Sequence, residues 1–119
     1  LRWVTSVIYF RRTATKDTNI RGQDIKAGDK IIMWYGSANR DEDIFIDGHL
    51  FKVDRQNAKK HLAFGAGEHL CLGNRLGHMQ IRILFEELLK RFPNIHSVAE
   101  PVRIPSNFLA GISELKVSI

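Results

Sequence analysis

Residues 64–73 of the chain are Phe-Gly-Ala-Gly-Glu-His-Leu-Cys-Leu-Gly, a stretch that contains three glycines and the single cysteine of the sequence, Cys71. Glycine permits tight turns and close backbone approach, so amide groups can point at the sulfur or at a flat ligand beside it. A helix that starts just after the cysteine would add its N-terminal amides and the positive end of its dipole, which favour a thiolate. Phe64 offers an apolar lid that would keep water from the sulfur. Such a thiolate can be the single protein bond to a metal whose other ligands come from a cofactor.

A lone cysteine also has a simpler interpretation, because a free cysteine often behaves as a small buried hydrophobic residue. With one thiol, the chain has no internal disulfide and no zinc site that needs two or more thiolates. An unpaired thiol fits a reducing compartment, and we therefore expect a cytoplasmic protein.

Length and composition are those of one folded domain, with 119 residues, 44% hydrophobic and 26% charged. No apolar run approaches ~18 residues, so we expect no membrane-spanning helix, and no signal peptide is visible at the start of the chain. The net charge of +5 would suit nucleic acid, an anionic membrane surface or an acidic protein, and it does not choose among them. We do not expect nucleic acid, because Phe10, Trp34 and Tyr35 lie in strand-like runs and no nucleotide-binding motif occurs.

Apolar, β-branched and aromatic runs predict strands in the first third of the chain, over Val7–Phe10 and Lys30–Tyr35. Isoleucines flank Gly22, which predicts short strands joined by a turn. A polar segment that begins at Ser37 predicts a short helix. From residue 44 to 62 no periodicity is visible, and stretches of that length are often functional.

The second half of the chain carries the one long helix, predicted over Leu72–Phe92 and ended by Pro93. Its apolar side chains fall on two sides, and a helix that is apolar on two sides is mostly buried. Gly77 in its interior costs ~1 kcal/mol relative to alanine, which close approach to a neighbouring helix would explain. The tail Pro101–Ile119 alternates loosely between apolar and polar residues and predicts a terminal hairpin.

The pattern Phe-Gly-x-Gly-x-His-x-Cys-x-Gly is matched at every defined position over Phe64–Gly73. This stretch resembles the haem-ligand loop of the cytochrome P450 monooxygenases, and the resemblance extends over essentially the whole chain. The runs Asn39–Glu42 and Phe51–Arg55 and the long helix are similar to the C-terminal part of a bacterial member. Leu1–Trp3 is similar to the end of the family's Glu-x-x-Arg helix, with Arg2 as the arginine and the glutamate just before the first residue.

The resemblance implies an α+β fold class: the C-terminal part of the mainly α cytochrome P450 fold, with short β-strands, the cysteine-ligand loop and one long buried helix. Residues 1–119 would be the C-terminal haem-binding segment of a larger P450-like domain. The family's central helix, whose acid–alcohol pair delivers protons to bound oxygen, and most of the substrate cavity would lie outside these residues.

The resemblance also implies which residues bind haem b. Cys71 would be the proximal thiolate ligand of the haem iron, and it would push electron density toward the metal to favour O–O cleavage. His69 and Arg12 would hydrogen-bond haem propionates, since an arginine fork suits a carboxylate, whereas Arg11 would point to solvent. The further cofactor-binding residues would be Phe64, Gly65 and Gly73, and those lining the substrate pocket would be Ile8, Phe108 and Leu109.

The sequence departs from the family pattern at two places. Leu50, with His49 beside it, stands where the family usually has arginine or histidine, the third member of its Glu-Arg-Arg network. Leu76–His78 has the sequence Leu-Gly-His where the family often has Leu-Ala-Arg. Arg2 would be structural and would hold its glutamate partner and the long loop.

We therefore expect a haem-thiolate monooxygenase that inserts one oxygen atom of O2 into an apolar small-molecule substrate, with electrons from a ferredoxin-type donor. Basic residues would form a face for that acidic donor, or an ordinary solvated surface; they are Lys59, Lys60, Arg75, His78 and Arg82. Two alternatives stay open. One is a non-catalytic haem-binding or structural fragment that lacks the oxygen-activating helix, and the other is a basic interaction domain with an inert cysteine that binds a polyanion.

Overall fold

The structure, a computed structural model, describes every residue from Leu1 to Ile119. The chain forms two compact units, Leu1–Ala63 and Phe64–Ile119. The first unit contains two β-hairpins and a long loop, and the second contains the long helix together with the loop that carries the cysteine.

The outer hairpin of the first unit joins β1 (Tyr9–Thr13) to β4 (Lys30–Trp34), which pair antiparallel over their whole length. The strand predicted over Lys30–Tyr35 is confirmed to within one residue. The strand predicted over Val7–Phe10 begins two residues later and continues through two arginines. Both faces of this two-stranded ribbon carry exposed residues. The bounds of β1 are therefore set by its pairing with β4 and not by the length of its apolar run.

The inner hairpin consists of β2 (Thr18–Ile20) and β3 (Gln23–Ile25), as the isoleucines around the glycine predict. The two connecting residues both have positive φ, 50° at Arg21 and 84° at Gly22. A two-residue turn with both φ values positive follows the right-handed twist of the strands, and it favours glycine at one of its positions. The Asn19 side-chain oxygen accepts a hydrogen bond from the Gly22 N–H at 2.8 Å and so stabilises the turn.

The helix predicted from Ser37 onward is a single turn, α1 (Tyr35–Ala38), which begins two residues earlier. The turn ends at Asn39, whose side chain is fully buried. The Asn39 Nδ2 donates a hydrogen bond to the Thr5 hydroxyl at 2.9 Å, and its Oδ1 accepts one from the Leu62 N–H at 2.6 Å. This side chain therefore ties the first residues of the unit to the end of its long loop.

Residues 44–62 form an irregular loop with one 3₁₀ turn, Ala58–Lys60, as the lack of periodicity predicts. Phe45 anchors the loop: its side chain is 1% exposed, and the Arg2 guanidinium lies 5.1 Å from the centre of its ring. Gly48 is also buried, and an added Cβ there would clash with the Arg40 carbonyl. Glycine at this position thus permits the close approach of two backbone segments.

The predicted long helix is α2 (Asn74–Arg91) in the second unit. It begins two residues later than predicted, because Leu72 and Gly73 form a turn ahead of it, and it ends before Pro93 as predicted. No residue of α2 is buried. The prediction that this helix is buried is therefore wrong for the 119-residue chain. The strands of its unit form only short two-stranded ribbons, which cannot cover a helix that is apolar on two sides.

The predicted terminal hairpin is present as β6 (Val102–Arg103) paired with β7 (Ile112–Glu114). The Ile104 N–H donates a hydrogen bond to the Gly111 carbonyl at 3.1 Å, one step beyond the paired strands. A Cβ on Gly111 would lie 2.6 Å from Ile104 Cδ1, so a side chain at this position would displace the tip of Ile104.

A second pair of short strands, β5 (His96–Ser97) with β8 (Val117–Ser118), is not evident from the sequence. Two-residue strands are too short to show a period of two. Several short strands and one long helix together confirm the predicted α+β class. None of the helices combines the length and the apolar character needed to cross a bilayer.

Replacement of Asn39 by alanine tests how the first unit is held together. The variant removes the partner of the part-buried Leu62 N–H and of the buried Thr5 hydroxyl, and an unpaired buried polar group costs about 1–3 kcal/mol. Because two hydrogen bonds are lost, we expect the free energy of unfolding to fall by about 2–4 kcal/mol in urea titrations. Asn94→Ala, at an exposed position, is the control and should change it by less than about 0.5 kcal/mol. Equal effects in both variants would contradict the proposed contacts of Asn39.

Candidate functional site

The cysteine loop, residues 64–73, is closed by a hydrogen bond between Phe64 and Cys71. The Cys71 N–H donates to the Phe64 carbonyl oxygen at 2.8 Å. Between these residues the chain turns back through Gly65 and Gly67, whose φ values of 73° and 63° lie in the left-handed region that favours glycine. A 3₁₀ turn, Gly67–His69, completes the reversal. The path of the backbone therefore requires these two glycines of the sequence pattern.

The residues after the cysteine lead directly into α2. The Cys71 carbonyl accepts two hydrogen bonds from Asn74, one from its N–H at 3.1 Å and one from its side-chain Nδ2 at 2.8 Å. A Cβ on Gly73 would lie 3.9 Å from the cysteine Sγ, which is ordinary van der Waals contact. Cys71 is exposed. This exposure contradicts the simpler interpretation of a buried hydrophobic cysteine and leaves the thiol accessible to a ligand.

The Phe64 ring lies against the first turns of α2. Its centroid is 5.3 Å from that of the His78 imidazole, in an edge-to-face arrangement with an interplanar angle of 61°. A Cβ added to Gly77 would lie 3.3 Å from the Phe64 Cζ. Within residues 1–119, the close neighbour of this glycine is an aromatic ring of the loop and not a second helix.

The two predicted propionate partners lie in different units, and each has its own local setting. His69 is the last residue of the 3₁₀ turn, two positions before Cys71, and is exposed. Arg12 lies inside β1 opposite Ile31, because the strand extends to Thr13. Arg12 is half-buried and Arg11 is exposed, as expected for neighbours that point to opposite faces of a strand.

The predicted substrate residues occupy defined backbone positions. Ile8 precedes β1 and is half-buried, and its carbonyl accepts the Tyr35 N–H at 3.0 Å. Phe108 and Leu109 belong to a turn in the second unit, where the Ser106 hydroxyl oxygen accepts both of their N–H groups at 3.1 and 3.0 Å. The side chains of these two residues are 38% and 45% exposed. The turn therefore presents two apolar side chains at the surface of its unit.

Arg2 holds the long loop of the first unit through backbone carbonyls, as expected for a structural arginine. Its Nη1 donates to the Asn39 carbonyl at 2.5 Å and to the Gly48 carbonyl at 2.7 Å. Its Nη2 donates to the Leu50 carbonyl at 3.2 Å. The guanidinium fork thus satisfies carbonyls that no strand or helix pairs.

Arg55 holds the same loop, a role that the sequence does not reveal. Its Nη1 donates to the Ile46 carbonyl at 2.6 Å, and its Nη2 donates to the Asp47 and Leu50 carbonyls at 3.0 and 3.5 Å. The Leu50 carbonyl therefore accepts hydrogen bonds from both Arg2 and Arg55. The Leu50 side chain is apolar and cannot replace the arginine or histidine that the family usually has there. The Phe51–Arg55 run marks this segment in the sequence, but only the folded loop shows which carbonyls the arginine reaches.

The electrostatics of this region reflect the close arginines. Burial, together with the charges of Arg55 and Arg40, lowers the pKa of the Arg2 guanidinium from its ordinary value. In the same loop, the Asp47 carboxylate accepts a hydrogen bond from Lys52 Nζ at 2.5 Å, and this bond lowers the pKa of the Asp47 carboxyl group. The guanidiniums of Arg40 and Arg55 thus lie close enough to that of Arg2 to interact with it.

The side chains of residues 1–119 that could bind a metal do not form a cluster. No group of three or more His, Cys, Asp or Glu side chains in residues 1–119 is arranged to hold an ion. Cys71 is the single thiol and is exposed. A metal bound at this loop would take one ligand from the chain and the others from a cofactor, which is the arrangement of haem-thiolate proteins.

Comparison with known proteins identifies the family. The sequence model of cytochrome P450 matches residues 1–118, and the chain belongs to the cytochrome P450 family. Members of this family use haem iron as their cofactor.

The chain is similar to bacterial members of known name. It is 44% identical over 119 residues to the methyl-branched lipid omega-hydroxylase of Mycobacterium tuberculosis, covering 99% of this chain and 28% of that protein. It is 44% identical over 117 residues to the linalool 8-monooxygenase of Pseudomonas putida, covering 98% and 29%. The solved structure of cytochrome P450-153 from Novosphingobium aromaticivorans superposes with a TM-score of 0.87 at 47% identity, covering 98% of this chain and 29% of that one. The chain thus spans less than a third of the length of the curated relatives it matches.

Replacement of Arg55 by alanine tests its hold on the loop. The variant loses the donors to three carbonyls, but these oxygens are largely exposed and can bond water, so we expect a loss of only about 1 kcal/mol in the free energy of unfolding. Local opening should instead make a protease cut residues 46–50 severalfold faster.

Arg55→Lys keeps the charge without the planar fork and should restore only part of the protection. Arg103→Ala, at an exposed position of β6, is the control. An unchanged rate of cutting in Arg55→Ala would show that Arg2 alone holds the loop.

Proposed function

We propose that the protein carrying this chain is a haem-thiolate monooxygenase, which inserts one oxygen atom of O2 into an apolar organic substrate and reduces the other to water with two electrons from a redox partner. The observation that carries this proposal is the Cys71 loop, which is closed by the Phe64 carbonyl and exposes a single thiol. Similar proteins named omega-hydroxylase, linalool 8-monooxygenase and steroid C26-monooxygenase support the class of reaction.

The chemistry of the loop fits haem. A porphyrin surrounds its iron with four nitrogens, so the protein needs to supply one soft axial ligand, and the loop offers one sulfur. The glycine-rich backbone before Cys71 leaves room for a flat ligand to approach closely. When bound, haem supplies the activation of O2 and the redox chemistry of the reaction.

Within this proposal, the loop residues hold and shield the sulfur. Cys71 is the metal ligand, and the hydrogen bond from its N–H to the Phe64 carbonyl fixes its backbone. In the haem-bound protein of this proposal, the Phe64 ring and Gly65 pack against the cofactor. Gly73, at which an added Cβ would lie 3.9 Å from the Sγ, joins the ligand to the start of α2.

The propionates of the cofactor are assigned to His69 and Arg12. His69 is exposed two positions before the ligand, where its imidazole can donate a hydrogen bond to a carboxylate. The guanidinium of Arg12 suits a carboxylate because its donors form a planar fork. Arg12 is half-buried in β1, whereas Arg11 is exposed. Water screens a half-buried charge less, so Arg12 would form the stronger pair with a propionate.

The proposed substrate is apolar. Ile8, Phe108 and Leu109 present only hydrocarbon surface, so they would contribute hydrophobic contacts without fixing a polar group of the substrate. The names of the similar proteins, a methyl-branched lipid hydroxylase and a linalool monooxygenase, agree with that chemistry.

The proposed electron donor is an acidic, ferredoxin-type protein. Arg75, His78 and Arg82 follow one another at spacings of three and four residues along α2, so they share one side of the helix. Glu86 pairs with Arg82 at 2.8 Å and offsets part of that charge. Lys59 and Lys60 add positive charge in the first unit. Such charges mainly raise the rate of encounter with an acidic partner. The proposal places the protein in the reducing cytoplasm, where an unpaired thiol stays available as a ligand.

We further propose that residues 1–119 are the C-terminal haem-binding segment of a larger P450-like domain. The short share of each relative that the chain covers and the exposed apolar sides of α2 both support this proposal. The same observations favour the second candidate function, a non-catalytic haem-binding or structural fragment. Turnover of a substrate by the 119-residue chain with a ferredoxin system would exclude that candidate.

Replacement of Cys71 by alanine tests the thiolate ligand. In the full-length protein, we expect the reduced, CO-bound form to show the red-shifted Soret band of thiolate-ligated haem. Cys71→Ala should abolish this band, because it removes the proposed iron ligand, and residues 1–119 contain no other thiol. Leu72→Ala, at the fully exposed neighbouring position, is the control and should retain the band. A retained band in Cys71→Ala would refute the ligand assignment.

Loss of the propionate partners should weaken haem binding without changing the ligand. A hydrogen bond to a charged group contributes about 1.5–3 kcal/mol, so Arg12→Ala and His69→Ala should each speed haem loss to apomyoglobin by roughly ten- to a hundredfold. The Soret band should keep its thiolate position. Arg11→Ala, on the opposite face of β1, is the matched control, and equal haem loss from the Arg11 and Arg12 variants would overturn the assignment of Arg12.

A further inference from the structure

Gly77 is the single glycine of α2, and its backbone conformation does not explain it. Its φ is not positive, so any residue could adopt the local geometry. Glycine inside a helix costs about 0.5–1 kcal/mol relative to alanine, and the position therefore has to be explained by what surrounds it. An ideal Cβ at this position would lie 3.3 Å from Cζ and 3.7 Å from Cε1 of the Phe64 ring. The missing side chain thus leaves space for the tip of that ring.

The ring that uses this space belongs to the residue that holds the cysteine. The Phe64 carbonyl accepts the Cys71 N–H at 2.8 Å. The Gly77 N–H in turn donates to the Gly73 carbonyl at 2.8 Å, and Gly73 adjoins the Sγ. Gly77 is therefore linked to the cysteine along two short routes, through the ring and carbonyl of Phe64 and through the first turn of the helix.

From this geometry we infer that Gly77 is a positioning residue for the Cys71 ligand. The absence of a Cβ lets the Phe64 ring settle against α2, and the seated ring sets where the Phe64 carbonyl meets the Cys71 N–H. The inference rests on the proposed function to this extent: the hydrogen bonds and apolar groups around a ligating sulfur tune the metal it holds. Through Phe64, Gly77 then sets the reduction potential of the bound haem.

If Gly77 affected only the stability of α2, substitutions at this position would have a different effect. Alanine and leucine are both strong helix formers, so either would stabilise α2 to a similar degree and leave the cysteine loop unchanged. Seating of Phe64 depends instead on the size of the added group. A single Cβ at 3.3 Å requires the ring to give way by a few tenths of an ångström, and a leucine side chain requires more. The two substitutions share their helix propensity and differ in bulk.

The experiment is a double-mutant cycle in the full-length protein. Gly77→Ala and Gly77→Leu are each made in the parent and in a Phe64→Leu background, in which no ring reaches position 77. Gln80→Ala, at an exposed position of the same helix, is the control. The midpoint potential of the haem and the hydrogen–deuterium exchange rate of the Cys71 N–H are measured in every variant.

We expect the potential to shift in Gly77→Ala and to shift further in Gly77→Leu, with no shift from either in the Phe64→Leu background. The Cys71 N–H should exchange about five- to tenfold faster in Gly77→Leu, which corresponds to the loss of one ordinary hydrogen bond. Unchanged potentials and exchange rates in both Gly77 variants, or identical shifts in the two backgrounds, would overturn the inference.

The two proposals can fail separately. The absence of a thiolate Soret band from the unmodified protein would refute the haem-thiolate function. The exchange rate of the Cys71 N–H needs no haem, and it would still decide whether Gly77 positions the loop through Phe64.

Discussion

A backbone N–H or C=O that leaves water needs a hydrogen-bond partner, and this constraint governs both irregular segments of the chain. In the first unit, the guanidinium of Arg2 supplies donors to carbonyls of residues 39, 48 and 50. In the second unit, the Phe64 carbonyl and the Asn74 side chain satisfy the two polar backbone groups of Cys71. Neither segment has a sheet or a long helix to pair with. The few side chains and carbonyls that serve as partners therefore determine the path of the backbone.

The cysteine loop combines this constraint with space for an aromatic ring. Left-handed glycines reverse the chain, and the Phe64–Cys71 hydrogen bond closes the reversal. The ring of Phe64 then packs on α2, beside His78 and over Gly77. These contacts hold the backbone of Cys71, and the metal ligand proposed there needs such support from its neighbours.

The sequence predicts secondary structure correctly where the pattern depends on neighbouring residues. The hairpin around Gly22, the strand before Tyr35 and the helix that ends before Pro93 each depend on neighbouring residues, and each is found as predicted to within a few residues. The bounds of β1 were displaced because they depend on the partner strand, twenty or so residues away. The helix α2, whose periodicity predicts burial, is exposed within residues 1–119, because burial depends on which elements cover the helix.

The sequence by itself determines the cysteine loop and its place before the long helix. The cysteine, its glycines and the periodic apolar residues of the helix all lie within thirty residues. The sequence also suffices to recognise the family. Only the tertiary structure decides which carbonyls Arg2 and Arg55 reach and which ring occupies the space at Gly77. Arg2 bonds to residues 37 to 48 positions away. Contacts over such separations arise when the chain folds, because they depend on how segments pack against one another and leave no period in the sequence.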